Sequence, residues 1–182
     1  MKHRQKHFCS NVKIMLVVPV STNFEIKDCD LIHETQKNII IRTGEYTITR
    51  YRNSLNRYHI TGIYNFEKIS ELVVFLSERM CIPYHIITKN YVVNNSSWHI
   101  DLKEPINLKK LAEKLIIWNS KNFTWKFNTL KFPGLCIKWD EGCGILFNSG
   151  KINILGIRSK PCFYRIKIKI LDILYCDSYN NI

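Results

Sequence analysis

Acidic residues are scarce in this chain: 15 Asp and Glu stand against 27 Lys and Arg, a formal charge of +12. Such an excess favours a polyanionic partner, nucleic acid ahead of an anionic membrane surface. The seven cysteines are scattered, odd in number and without a CxxC pair. That argues against a disulfide framework and fits reduced thiols in a reducing compartment. IMLVVPV, the longest apolar run near the start, falls far short of a membrane span. The basic stretch before it imitates a signal peptide, but the run is at the lower limit of length and no small-residue cleavage site follows. No glycine-rich phosphate loop or pair of carboxylates stands out, and Tyr51 and the six histidines form no nucleophile–base arrangement, so catalysis finds no foothold and no cofactor is expected. His3, His7 and Cys9 would make only a weak metal site in a flexible tail, and no metal is expected. The same tail, MKHRQKH, reads as a basic arm for phosphates.

What is present is a globular composition, 46% hydrophobic and 23% charged over 182 residues. That suffices for one fair-sized domain or two small halves sharing a core. No Pro-, Gly- or Ser-rich linker divides it. Laying one half over the other reveals a repeat. NIIIRTGEYTITRYRNSLNRYHITGIYNF, from Asn38, matches GLCIKWDEGCGILFNSGKINILGIRSKP, from Gly134. Arg42 falls on Lys138, Arg57 on Lys151, Ile60 on Ile154 and Gly62 on Gly156. The spacing between partners shrinks by two residues along the way, which places a two-residue shortening of the second copy at the hairpin turn Asp140–Gly142. An even deletion preserves which face each side chain points to.

Each copy is expected to run strand, short helix, several strands, long helix. In the first, KIMLVVPVSTNFEI is strand-like and DCDLIHET a short helix. Strands follow at 39–42, 46–52 and 57–63, then a helix capped by Asn65 with a stripe of Phe66, Ile69, Val73, Leu76 and Met80. In the second, YHIITKNYVV and WHIDL are strand-like and 106–118 is helical. FYRIKIKILDIL fits either period; repeat symmetry favours a helix capped by Ser159. The pattern is α+β: an antiparallel sheet with helices on one face and the other face open. On RYHIT, Tyr58 and Ile60 point inward while Arg57, His59 and Thr61 point out. On KINIL, Ile152 and Ile154 point inward while Lys151, Asn153 and Leu155 point out.

FPGLCIKW followed by LFNSGKINILGIRS resembles the TATA-binding protein family, whose pattern is Phe-Pro-Gly-Leu, a basic residue, a turn, an apolar strand ending in Phe, then Ser-Gly-Lys and a Thr-Gly strand. EPINLKKLA, from Glu104, resembles that family's first-helix segment, and VSTNFEI, from Val20, its first strand. The likeness covers about residues 15 to 175 and is strongest in the second repeat. It implies a pseudo-symmetric two-repeat saddle with a curved antiparallel sheet and helices on its convex face. The parts would be a basic arm at 1–12, repeats at 13–82 and 83–176, and a tail at 177–182. It implies that Phe132 and Phe147 wedge between base steps. Lys138, Lys151, Arg42 and Arg57 would hold phosphates, with Asn153, Leu155, His59, Thr61 and Asn90 on the groove face. Without that context two aromatics would read as core residues and the lysines as solvated charges. Pairing of 132 with 147 would set 134 opposite 145 and Cys136 opposite Cys143, a reduced thiol pair.

Departures accompany the likeness. The first-repeat wedge positions align with Gln36 and Asn53, neither aromatic. The family's first-strand asparagine is Val18 in the first repeat. In the second it is Asn90, with Asn94 and Asn95 as alternatives. The threonine kept at Thr61 is Leu155 in the second copy. The resemblance implies a non-enzymatic initiation factor that binds AT-rich promoter DNA in the minor groove as a monomer, bends it, and recruits RNA polymerase and general transcription factors. It would work in the nucleus, or at the site of viral transcription if virus-encoded. The other reading is an assembly platform of the same fold that no longer binds DNA by itself.

Overall fold

The computed structural model of the chain describes residues 6–19, 31–54, 56–118 and 121–176. Two compact units emerge, one formed by Cys9–Ser96, the other by Met1–Phe8 with Ser97–Ile182.

The Cys9–Ser96 unit contains most of β1 (Lys6–Val17), then β2 (Leu31–Glu34), β3 (Asn38–Thr43), β4 (Tyr46–Tyr51) and β5 (Arg57–Ile63). They pair antiparallel in the order β2-β3-β4-β5-β1. A 3₁₀ turn, Phe66–Lys68, leads into α1 (Ile69–Met80), and α2 (Tyr84–Asn90) follows. Alternation decides the core: Ile14, Leu16, Ile48 and Ile60 point to one side of the sheet, and Leu72, Val73, Leu76 and Met80 of α1 join the same buried cluster. Asn65 caps the 3₁₀ turn, its side chain accepting from the Glu67 amide at 3.3 Å.

The other unit holds the end of β6 (Tyr91–Asp101), α3 (Leu108–Trp118), β7 (Thr124–Lys126), β8 (Leu135–Trp139), β9 (Gly142–Leu146), β10 (Lys151–Leu155) and α4 (Lys160–Tyr175). Strand order is β6-β10-β9-β8-β7, again antiparallel. Helix α4 packs on β9 and β10. Its stripe of Phe163, Ile166, Ile170 and Ile173 is wholly buried while Ile168 is 57% exposed, which settles the two-way periodicity of FYRIKIKILDIL as a helix. Ser159 is its cap, accepting from the Cys162 amide at 3.4 Å, with Pro161 in the first turn. Phe163 stacks on Trp98 with centroids 4.1 Å apart.

Four local expectations change. Leu31–Glu34 is a strand paired with β3, not part of a helix; the preceding residues of DCDLIHET and all of VSTNFEI lie outside the described residues. YHIITKN is a helix rather than a strand. Pro83 starts it, its carbonyl accepting from the Ile86 amide at 2.8 Å, and burial of Ile87 beside α1 overrides the β-branched propensity. Residues 6–12 of the expected basic arm already belong to β1. The fourth change concerns the repeat's gap. Both hairpin turns have two residues, Gly44–Glu45 and Asp140–Glu141, so the shortening lies between the second and third strands of the second copy, where β9 passes to β10.

Candidate nucleic-acid interface

The open face of β8, β9 and β10 carries the residues outside the core pattern. Leu135, Ile137 and Trp139 of β8 are buried, as are Leu146 of β9 and Ile152 and Ile154 of β10. Cys136, Lys138, Cys143, Ile145, Lys151, Asn153 and Leu155 therefore face the other way. Phe132 and Phe147 sit just beyond the strands at one end, with ring centroids 5.9 Å apart in an edge-to-face arrangement. Phe132 is 43% exposed, so it is no core residue.

Local turns hold the pair. The Asn128 carbonyl accepts from the amides of Lys131 and Phe132, at 3.1 and 2.9 Å, and its side chain accepts from the Leu130 amide. The Phe147 amide donates to the Lys151 carbonyl and the Gly150 amide to the Phe147 carbonyl, both at 3.0 Å. Gly134 lies under the rings: a Cβ there would be 2.7 Å from Phe132 Cε1 and 3.2 Å from Phe147 Cε1. Only the absence of a side chain lets the aromatics meet above this strand.

The register is shifted by two from expectation, pairing Cys136 with Ile145 and Lys138 with Cys143. An even shift leaves every face unchanged. The two thiols are therefore diagonal, yet their sulfurs lie 3.1 Å apart and both are free. Burial pushes the Cys143 thiol up to about 12, and its hydrogen bond to Cys136 acts in the same direction. Lys138 and Lys151 are exposed on this face. Asn153 is paired with Ile145 on one side and His99 on the other, and its Oδ1 lies 2.7 Å from His99 Nδ1. Phe8 stacks on His99 with centroids 5.1 Å apart.

In the Cys9–Ser96 unit, the corresponding face carries Arg42 on β3 and Arg57, His59 and Thr61 on β5. Arg42 is paired with Thr47, and Thr47 with Thr61, which repeats the row Lys138, Cys143, Leu155 of the other unit. Burial holds the His59 imidazole below its ordinary pKa, with Lys13 and Arg57 adding to the effect, and its Nδ1 is buried without a partner. Asn90 is not on this face; it ends α2, its side chain donating to the Ile86 carbonyl at 2.7 Å. Asn94 and Asn95 belong to β6, and Asn95 is exposed. Val18 is buried.

The registers also correct the alignment of the wedge positions. Thr47 holds the place of Cys143, so Tyr51, four residues on, holds the place of Phe147, and Asn53 falls in the following turn. Tyr51 is 37% exposed and stands edge-on to His59 at 5.3 Å. Gln36, the counterpart of Phe132, is exposed. Sequence reading missed Tyr51, His99 and Phe8. Counting outward from the two equal turns would have found Tyr51, whereas no sequence signal marks the histidine contacts.

Among the described residues no cluster of three or more His, Cys, Asp or Glu is placed to hold a metal ion, and no helix is long and apolar enough to cross a membrane. His3 lies outside the described residues.

Residues 90–176 match the family described as transcription factor TFIID, or TATA-binding protein. The chain is TATA-binding-protein-like. A solved structure of the Methanococcus jannaschii TATA-binding protein superposes with a TM-score of 0.68 at 16% identity, covering 93% of this chain and 98% of that one. No curated protein sequence matches. At that identity the superposition shows the fold, which is the α+β fold of the TATA-binding protein. The TATA-binding-protein family is one of non-enzymatic transcription factors.

Proposed function

We propose that this TATA-binding-protein-like chain binds AT-rich duplex DNA in the minor groove, bends it, and recruits polymerase and initiation factors, in the compartment where its promoters are transcribed. The observation that carries this reading is the Phe132–Phe147 pair, edge-to-face, with Phe132 half-exposed, seated over Gly134 at the end of an open, lysine-bearing sheet face. Aromatic wedges unstack base steps at a cost of about a few kcal/mol per step, offset by the wider contact that bent DNA allows. Lys138, Lys151, Arg42 and Arg57 supply phosphate contacts that anchor without specifying. The minor groove is degenerate between A·T and T·A, so sequence preference comes largely from deformability.

Binding to a TATA duplex and a GC-rich duplex at two salt concentrations tests this, with the wild type and the Phe132→Ala/Phe147→Ala double variant. The wild type should prefer the TATA duplex and the double variant should lose that preference. Equal and steeply salt-dependent binding to both duplexes would reduce the face to a basic surface. Absence of binding would favour an assembly platform, a reading supported by Gln36 in the place of Phe132.

A further inference from the structure

Asn153 is the one side chain on the β10 open face with both donor and acceptor capacity that is held by a specific partner. On its β9 side the register neighbour is Ile145, which offers no hydrogen bond. On its β6 side is His99, with Nδ1 at 2.7 Å from Oδ1. An amide oxygen only accepts, so this contact requires the proton on His99 Nδ1. The opposite amide orientation would require an unprotonated Nδ1 accepting from the carboxamide nitrogen. The ring is held in place by Phe8, stacked at 5.1 Å with planes inclined by 29°. Among the described residues, no acceptor takes the two Nδ2 protons of Asn153.

We propose that His99 is a positioning residue that locks the Asn153 carboxamide with its oxygen turned to β6 and its NH₂ left for the groove, making this position a reader of hydrogen-bond acceptors in the minor groove. The inference rests on the minor-groove reading above and adds a specificity device to it. The acceptors A N3 and T O2 line A·T pairs, whereas a G·C pair adds the guanine N2 amino donor, which meets an outward NH₂ donor to donor. A flipped amide would present its oxygen and favour guanine instead. The His99–Asn153 contact thus decides the sign of the preference at this step, and Phe8 limits the ring's freedom to turn.

Two measurements test it. Nitrogen-15 NMR of the free protein reports the His99 tautomer without DNA; neutral His99 should carry its proton on Nδ1, and an Nε2–H tautomer overturns the proposal. Binding is then compared for matched duplexes carrying A·T, inosine·C or G·C at each step of the site. Inosine lacks the N2 amino group, so the wild type should treat inosine·C like A·T and discriminate against G·C at one step. His99→Phe keeps a ring against Phe8 and removes the hydrogen bond; it should cut that discrimination by about three- to tenfold, the range of one hydrogen bond, while changing A·T affinity less. Asn153→Asp, which cannot donate, should abolish the discrimination. Unchanged discrimination in His99→Phe overturns the positioning role even where duplex binding and the Phe132–Phe147 dependence stand. Failure of the wild type to bind any duplex instead sinks the minor-groove reading and the readout with it, leaving the tautomer as a structural contact only.

Discussion

Gly134 shows how a single missing side chain can govern a site. Its position beneath Phe132 and Phe147 leaves no room for a methyl group, with Ile145 Cγ2 closing the third side at 2.9 Å. Because Phe132 is half-exposed, its ring can swing outward rather than strain the core. Gly134→Ala should therefore cost about 1 kcal/mol in urea denaturation, the low end for overpacking, yet separate the two rings. Disappearance of the Phe132–Phe147 cross-peaks from NOE spectra would check the displacement. Tyr51 carries a similar lesson about place rather than identity. It holds the position of Phe147 in the other repeat, but its ring stands against His59 and its partner position is Gln36. The two repeats thus keep the same scaffold position and fill it with different chemistry.

At the scale of elements, α4 illustrates how capping and burial converge. Ser159 supplies the first-turn acceptor, and Arg165 on the helix meets Glu141 in the β8–β9 turn through hydrogen bonds at 3.0 and 2.6 Å. That ion pair is partly exposed and contributes little to stability; the cap and the four buried side chains dominate. Ser159→Ala should destabilise the protein by about 1 kcal/mol, read as a shift in denaturation midpoint with unchanged slope. The cap was legible in the sequence because Ser-x-Pro before an apolar stripe is a local signature. The helix at Tyr84–Asn90 was not, because its residues are β-branched and aromatic. What makes it helical is the start at Pro83 and the pocket for Ile87, and only the second of these is tertiary. Equal two-residue turns in the two hairpins were readable too, but the match at Arg57 and Lys151 drew the gap to the wrong side of β9.

For the molecule as a whole, the charge of +12 supplies the cations, and the number of phosphates they neutralise sets how binding responds to salt. Removing one phosphate-anchoring cation should reduce the slope of log K against log salt by about 0.9. Lys138→Gln and Lys151→Gln should each lower the slope by about that amount and weaken binding uniformly across sequences, a signature distinct from the sequence-dependent effect expected at Asn153. Titration at several salt concentrations separates them. A variant that changed discrimination instead of slope would move that lysine from the phosphate-anchoring group to the reading group.

By itself the sequence determined the repeat, the fold class, the alternation of inward and outward residues on β5 and β10, and the presence of Phe132 and Phe147 at one end of a hairpin. These rest on strand period and local turn chemistry, which survive any even shift in register. The tertiary structure decided the register of β8 against β9, the site of the two-residue gap, the helix before β6, the place of Tyr51 and the contact between His99 and Asn153. Alternation fixes a face but is blind to a slide of two residues. Which of the even registers forms depends on turn length and on packing beneath the sheet, and contacts between residues 54 positions apart, such as His99 and Asn153, exist only once that choice is made.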